Sequence, residues 1–114
     1  MAVLLPLTLL SGCPPHPSYN PFVLDAIRAE SRVLIATYPT TAIARVPDDR
    51  LPPVIASLKP ESVTVHRWGV DIMTKPFFDG GWGYQVPRRD KRDLPMLPDC
   101  YSEPSPGVFW HEPC

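Results

Sequence analysis

The sequence predicts a small α+β domain with a mainly antiparallel sheet, two short helices and an irregular, proline-rich C-terminal tail. Three observations support this fold class. Two segments place apolar residues at helical spacing, several short apolar runs alternate with turn residues, and nine of the 17 prolines lie within residues 14–21 and 95–113. The 44% content of hydrophobic residues is typical of a globular protein, and 114 residues can enclose one modest core.

The sequence pattern of residues 20–46 predicts one helix followed by two strands. Asn20 is a favourable N-cap and Pro21 fits the first helical position, so a helix is expected over residues 22–30. The apolar, β-branched run of residues 32–38 predicts a strand buried on both faces. Residues 42–46 predict a second, weaker strand.

A second short helix is expected after these strands. Asp48 or Asp49 can cap it, and Pro52 and Pro53 fit its first turn. Its apolar face consists of Val54, Ile55 and Leu58. Proline at position 60 then ends it.

In the next segment, residues 62–74, the valine and isoleucine residues shift from odd-numbered to even-numbered positions, so their alternation along the chain is interrupted. Val63 and Val65 set one alternation, whereas Val70 and Ile72 follow the opposite one. Because side chains alternate between the faces of a strand, one strand cannot keep both pairs on the same face. A bulge or tight turn is therefore expected around Gly69, where glycine can supply an unusual φ.

Aromatic residues cluster around a second predicted turn, at residues 79–81. Such side chains can form a flat surface for sugar rings or peptides, and Trp68, Trp82 and Tyr84 are the candidates for this ligand surface. Trp68 is the best candidate for exposure, because it shares the parity of Thr64 rather than that of the apolar valines. The alternative is that the aromatic residues fill a small core.

The first twelve residues are uncharged, largely apolar and too short to span a bilayer. They end in Leu10-Ser11-Gly12-Cys13, which resembles the lipobox of bacterial lipoproteins. The resemblance implies cleavage before Cys13, acylation of that cysteine and a lipid bilayer as partner. Proline rather than aspartate at position 14 favours the outer membrane over the inner membrane. Within this class, residues 1–12 are a signal peptide and 13–20 a proline-rich tether.

The remaining chain divides into a domain over residues 21–94 and a tail over 95–114. An exported protein occupies an oxidising compartment, and Cys100 and Cys114 are the two cysteines left after acylation, so a disulfide is expected to close the tail. Two free thiols and a metal site that adds His111 are the alternatives. No cofactor is expected.

The histidines and the charged residues give few indications of a catalytic or binding site. His66 and Asp71 lie in the predicted fold and could form an acid–base pair, but the sequence lacks the motifs of a serine hydrolase, a zinc protease or a P-loop. The net charge of −1 argues against nucleic-acid binding. The basic run of residues 88–93 could meet anionic lipid headgroups, or it could be a solvated linker.

These observations favour a membrane-anchored lipoprotein of the bacterial cell envelope, with a non-catalytic binding or structural domain. A cell-envelope protein or a glycan is its expected partner. The first alternative is a small hydrolase or metal-dependent enzyme that uses His66 and Asp71. The second is an unprocessed intracellular protein, in which residues 1–12 belong to the core.

Overall fold

The computed structural model describes residues 14–39, 41–78 and 80–114. It confirms a small α+β domain. Two helices and six strands follow one another in the order α1 (Pro21–Thr37), β1 (Ala44–Arg45), α2 (Pro53–Ser57), β2 (Ser62–Val65), β3 (Gly69–Lys75), β4 (Trp82–Pro87), β5 (Tyr101–Ser105) and β6 (Val108–His111). Short 3-10 turns lie at Asp48–Arg50, Lys91–Asp93 and Pro98–Cys100.

The six strands form one antiparallel sheet in the order β1-β2-β3-β4-β6-β5. Alternate strand residues face α1 and α2, and together with the helices they form the core, which includes Leu24, Ile27, Ile55, Val65, Ile72, Val86 and Trp110. The other alternate residues form what we term the second face, represented by Asp71, Met73, Gln85, Phe109 and His111. In the described residues no helix is both long and apolar enough to cross a bilayer.

The strand predicted over residues 32–38 is wrong, because helix α1 continues to Thr37. Its buried residues keep helical spacing across both predicted elements: Leu24, Ile27, Ser31 and Leu34. This shared core contact outweighs the β propensity of the short valine- and isoleucine-containing run. Phe22, in the first turn of α1, is 84% exposed.

Helix α2 confirms the second predicted helix, but its cap differs from the prediction. Its first backbone N–H groups donate to the carboxylate of Glu30 on α1, at 3.1 Å from Val54 N and 2.9 Å from Ile55 N. Asp48 and Asp49 belong instead to the preceding 3-10 turn. Glu30 thereby joins the two helices on the core side of the sheet, since a carboxylate satisfies the N–H groups that a helix start leaves unpaired.

Of the bulge or tight turn expected around Gly69, the structure shows the turn. His66 and Gly69 exchange backbone hydrogen bonds of 2.7 and 3.2 Å, which reverses the chain between β2 and β3. Gly69 has a φ of +152°, and a Cβ atom there would lie 2.1 Å from the carbonyl oxygen of Val86. The position therefore needs glycine for its backbone conformation and for the close approach of β4.

The Gly69→Ala variant is expected to lose about 3 kcal/mol of unfolding free energy, because a backbone collision adds to the strain of a positive φ. Gly80→Ala is the matched control. Gly80 also has a positive φ, +90°, but a Cβ atom there would meet open space. Its expected loss is about 1 kcal/mol. Urea denaturation measures both, and equal losses would contradict the role of the collision.

The irregular tail predicted over residues 95–114 is wrong. Strands β5 and β6 form a hairpin within this segment, and all four residues of β6 are buried. Pro104 is tolerated because β5 is an edge strand, where a missing backbone donor breaks no internal ladder. The sheet therefore extends through His111, beyond the predicted domain end at residue 94.

The tether predicted over residues 13–20 is partly wrong, because its last residues already pack against the domain. Cys13 lies outside the described residues, but Pro17 is buried, and the backbone N–H of Ser18 donates to the hydroxyl oxygen of Tyr84 at 2.7 Å. Only the first few residues after Cys13 are thus available as a spacer. The chain enters the domain close to the start of β4.

Candidate binding face

A chain of polar side chains crosses the second face of the sheet. Asp71 on β3 lies opposite Gln85 on β4, and Gln85 Nε2 donates to Asp71 Oδ1 at 3.0 Å. The hydroxyl of Tyr101 donates to Gln85 Oε1 at 2.5 Å and accepts from the backbone N–H of Met96 at 3.2 Å. Because Gln85 is buried, these bonds satisfy an amide that would otherwise be costly to bury.

Tyr101 reaches this network across strand β6, which lies between β5 and β4. Its ring meets those of Phe109 and His111 edge-on, at centroid distances of 6.1 and 6.2 Å. Burial raises the pKa of Tyr101 above its ordinary value, so the phenol keeps the proton that it donates to Gln85.

His111 is the most deeply buried polar group on this face, with 1% exposure. Its Nε2 atom lies 3.8 Å from Asp71 Oδ1, and neither ring nitrogen has a hydrogen-bond partner among the described residues. Opposite His111 on β4 is Gly83, which has no side chain to compete for this space. The imidazole is therefore enclosed in the sheet face close to Asp71 but beyond hydrogen-bond distance of it.

A shallow groove adjoins the network, between the segment before β5 and the β5–β6 hairpin. Its cavity volume is about 350 Å³, near the lower limit for small-molecule sites. Apolar and aromatic side chains line much of it, namely Leu94, Met96, Pro98, Tyr101 and Phe109. Lys91 and Arg92 contribute positive charge and Glu103 negative charge, so the groove can receive an apolar group that carries polar substituents.

The aromatic residues proposed as one ligand surface do not lie together. Tyr84 is 3% exposed and packs edge-on against Trp110 in the core, so its prediction as a surface residue is wrong. Trp82 is half-buried at the start of β4, where it contacts Phe77. Trp68 is half-buried at the β2–β3 turn, stacked on His66 at 5.0 Å. Core packing and strand position separate the three.

The proposed acid–base pair is not assembled. Between His66 and Asp71, both described, there is neither a hydrogen bond nor an ion pair, and Asp71 instead accepts a hydrogen bond from Gln85, with His111 Nε2 3.8 Å away. Cys100 and Cys114 lie in sulfur–sulfur bonding contact, with Cα atoms 5.9 Å apart, which suits a disulfide. Within the described part of the chain no group of three potential metal ligands is found.

The basic run of residues 88–93 lies at the far end of β4, beyond Pro87. Arg88 donates to the backbone carbonyls of Arg67 and His66, and Arg92 pairs with Asp90 at 2.9 Å. Hydrogen bonds from Arg92 lower the pKa of Asp90 to about 2. The guanidinium groups of this run thus donate mainly to carbonyl and carboxylate oxygens close to them in the structure.

The sequence did not reveal Gln85, Tyr101 and His111 as a group. One signal was available, since Val108, Phe109 and Trp110 form a short β-branched and aromatic run that is typical of a strand. The chain matches no model of a protein family, and comparison with curated proteins and with solved structures found no match.

Proposed function

We propose that this protein is a lipid-anchored binding module of the bacterial cell envelope, with no catalytic activity of its own. The proposal rests first on the apolar run that ends in Leu10-Ser11-Gly12-Cys13. Small residues before a cysteine suit cleavage by a signal peptidase, and the thiol is the acceptor of the lipid. Several acyl chains on one cysteine give a stable anchor where one chain is marginal.

The contact of Ser18 with Tyr84 is the structural observation that carries the proposal. Only four residues lie between Cys13 and Ser18, and the five residue steps that join these two positions span at most roughly 18 Å when extended. An acylated Cys13 would therefore hold the start of β4 close to the bilayer. Three of these four residues are prolines (Pro14, Pro15 and Pro17), which favours an extended conformation.

A binding role without catalysis agrees with the polar groups of the second face. Asp71, Gln85 and Tyr101 are committed to one another, whereas the adjoining groove presents apolar surface with charge of both signs at its rim. Such a groove suits a segment of an envelope protein or a glycan. We place the partner in this groove.

Mass spectrometry of the protein purified from bacterial membranes tests the anchor. The expected mature chain begins at Cys13 and carries the mass of lipid on its sulfur and its amine. The Cys13→Ser variant should keep its first twelve residues and lack this mass. The double variant Cys100→Ser, Cys114→Ser is the matched control and should remain acylated. A wild-type chain that retains Met1, or has an unmodified Cys13, would refute the proposal.

A further inference from the structure

Four large side chains are exposed near the end of the sheet where β3 stops and β4 begins, which we term the hairpin end. Tyr19 is 72% exposed, Phe22 84%, Phe77 53% and Phe78 97%. Water-exposed aromatic residues are individually common, but a group of them at one end of a small domain indicates a contact surface.

Two contacts place the four residues at this end. The first joins Ser18 to Tyr84, two residues into β4, so that the neighbouring Tyr19 and the first turn of α1 lie beside the start of that strand. The second is the edge-on packing of Phe77 on Trp82, the first residue of β4, with ring centroids 5.5 Å apart. Phe78 packs edge-on against Phe77 at the same distance.

The chemistry of the hairpin end suits the boundary between water and lipid. Tyrosine and tryptophan favour the headgroup level of a bilayer, where an apolar body and a polar edge are both accommodated. Phenylalanine adds apolar surface that can be buried at the boundary between headgroups and acyl chains. Lys75 lies over the ring of Trp82, with Nζ 5.4 Å from its centroid. A long lysine side chain can keep its ammonium group among the headgroups while its methylenes remain in apolar surroundings.

We propose that the hairpin end rests on the surface of the bilayer, with Phe78 and Phe22 inserted at headgroup level. The inference builds on the proposed function, because the short spacer to Cys13 is what brings this end to the membrane. β4 rises roughly 17 Å from Trp82 to Pro87, so the basic run after Pro87 faces away from the lipid.

Two tryptophan reporters test this orientation in the full chain. Phe78→Trp places an indole at the hairpin end. Ile43→Trp is the matched control: Ile43 is also exposed, at 73%, and precedes Ala44, which pairs with Val65 at the opposite end of β2. Each variant is reconstituted into phosphatidylcholine vesicles with and without bromine on the acyl chains near the headgroups. The three native tryptophans give the same background in both variants.

Bromine should remove the extra emission of the Phe78→Trp variant and leave that of Ile43→Trp unchanged. Equal quenching of the two reporters, or quenching of neither, would overturn the proposed orientation. The second result is also what a protein partner or a second copy on this end would give. The mass of Cys13 is measured separately, so failure of the anchor and failure of the surface remain distinguishable.

Discussion

Replacing Trp110 by alanine is expected to lower the free energy of unfolding by about 3–5 kcal/mol. Trp110 lies on the interior strand β6, is 4% exposed, and meets the ring of Tyr84 edge-on at 5.0 Å. Truncation would leave a cavity in the centre of the sheet–helix interface and remove one member of an aromatic pair. Urea denaturation followed by circular dichroism measures the loss as a lower midpoint.

Leu97→Ala is the control for Trp110, because Leu97 lies in the same C-terminal segment and is 74% exposed. Its change should remain within about 0.5 kcal/mol, as for most surface substitutions. If both variants were equally stable, residues 95–114 would contribute no more than the irregular tail that their proline content suggests.

Reduction of the Cys100–Cys114 pair is expected to cost about 3 kcal/mol of stability. The two residues are 14 positions apart, and a crosslink that closes a loop of about 15 residues restricts the unfolded chain by this amount. The bridge also ties the start of β5 to the end of the hairpin. Denaturation with and without dithiothreitol measures the difference.

The double variant Cys100→Ser, Cys114→Ser isolates the effect of the bridge. It should match the reduced wild-type protein in stability and show no further response to dithiothreitol. Two free thiols in protein taken from its native compartment, together with no response of the wild type to reduction, would contradict the bridge.

Local signals in the sequence predicted the turns and the fold class. The opposite parities of Val63 and Val70 required a bulge or a turn between them, and Gly69 was the residue able to supply the unusual φ of either. This inference depends on adjacent residues, so little tertiary information was needed. The second helix was predicted for the same reason, from its prolines and apolar face.

The errors arise where distant residues decide the local structure. Residues 32–37 remain helical because Ser31 and Leu34 continue a buried stripe against the sheet. Likewise, Glu30 replaces the aspartate caps because α1 passes beside the start of α2. The sheet that packs against residues 32–37 and the Glu30 side chain that caps α2 are both distant in sequence from the element whose structure they decide. Local propensity alone could therefore not identify them.

The candidate binding face was beyond sequence reasoning for a similar reason. Tyr101 and Gln85 are 16 residues apart and meet across an intervening strand. Their contact requires β6 to enter the sheet beside β4, and the proline-rich surroundings of that strand concealed it. Asp71 was identified as a candidate for chemistry, but with His66 as its partner, whereas the sheet register brings it to Gln85 and His111.

The position of β6 has a consequence for how the protein folds. Synthesis proceeds from the N-terminus, so β1 to β5 exist before the strand that separates β4 from β5. Until β6 is present, one edge of β4 offers unpaired backbone groups to any other chain. A nascent chain that stalls before Val108 therefore exposes an edge prone to aggregation, and β5 can join the sheet only after β6 has paired with β4.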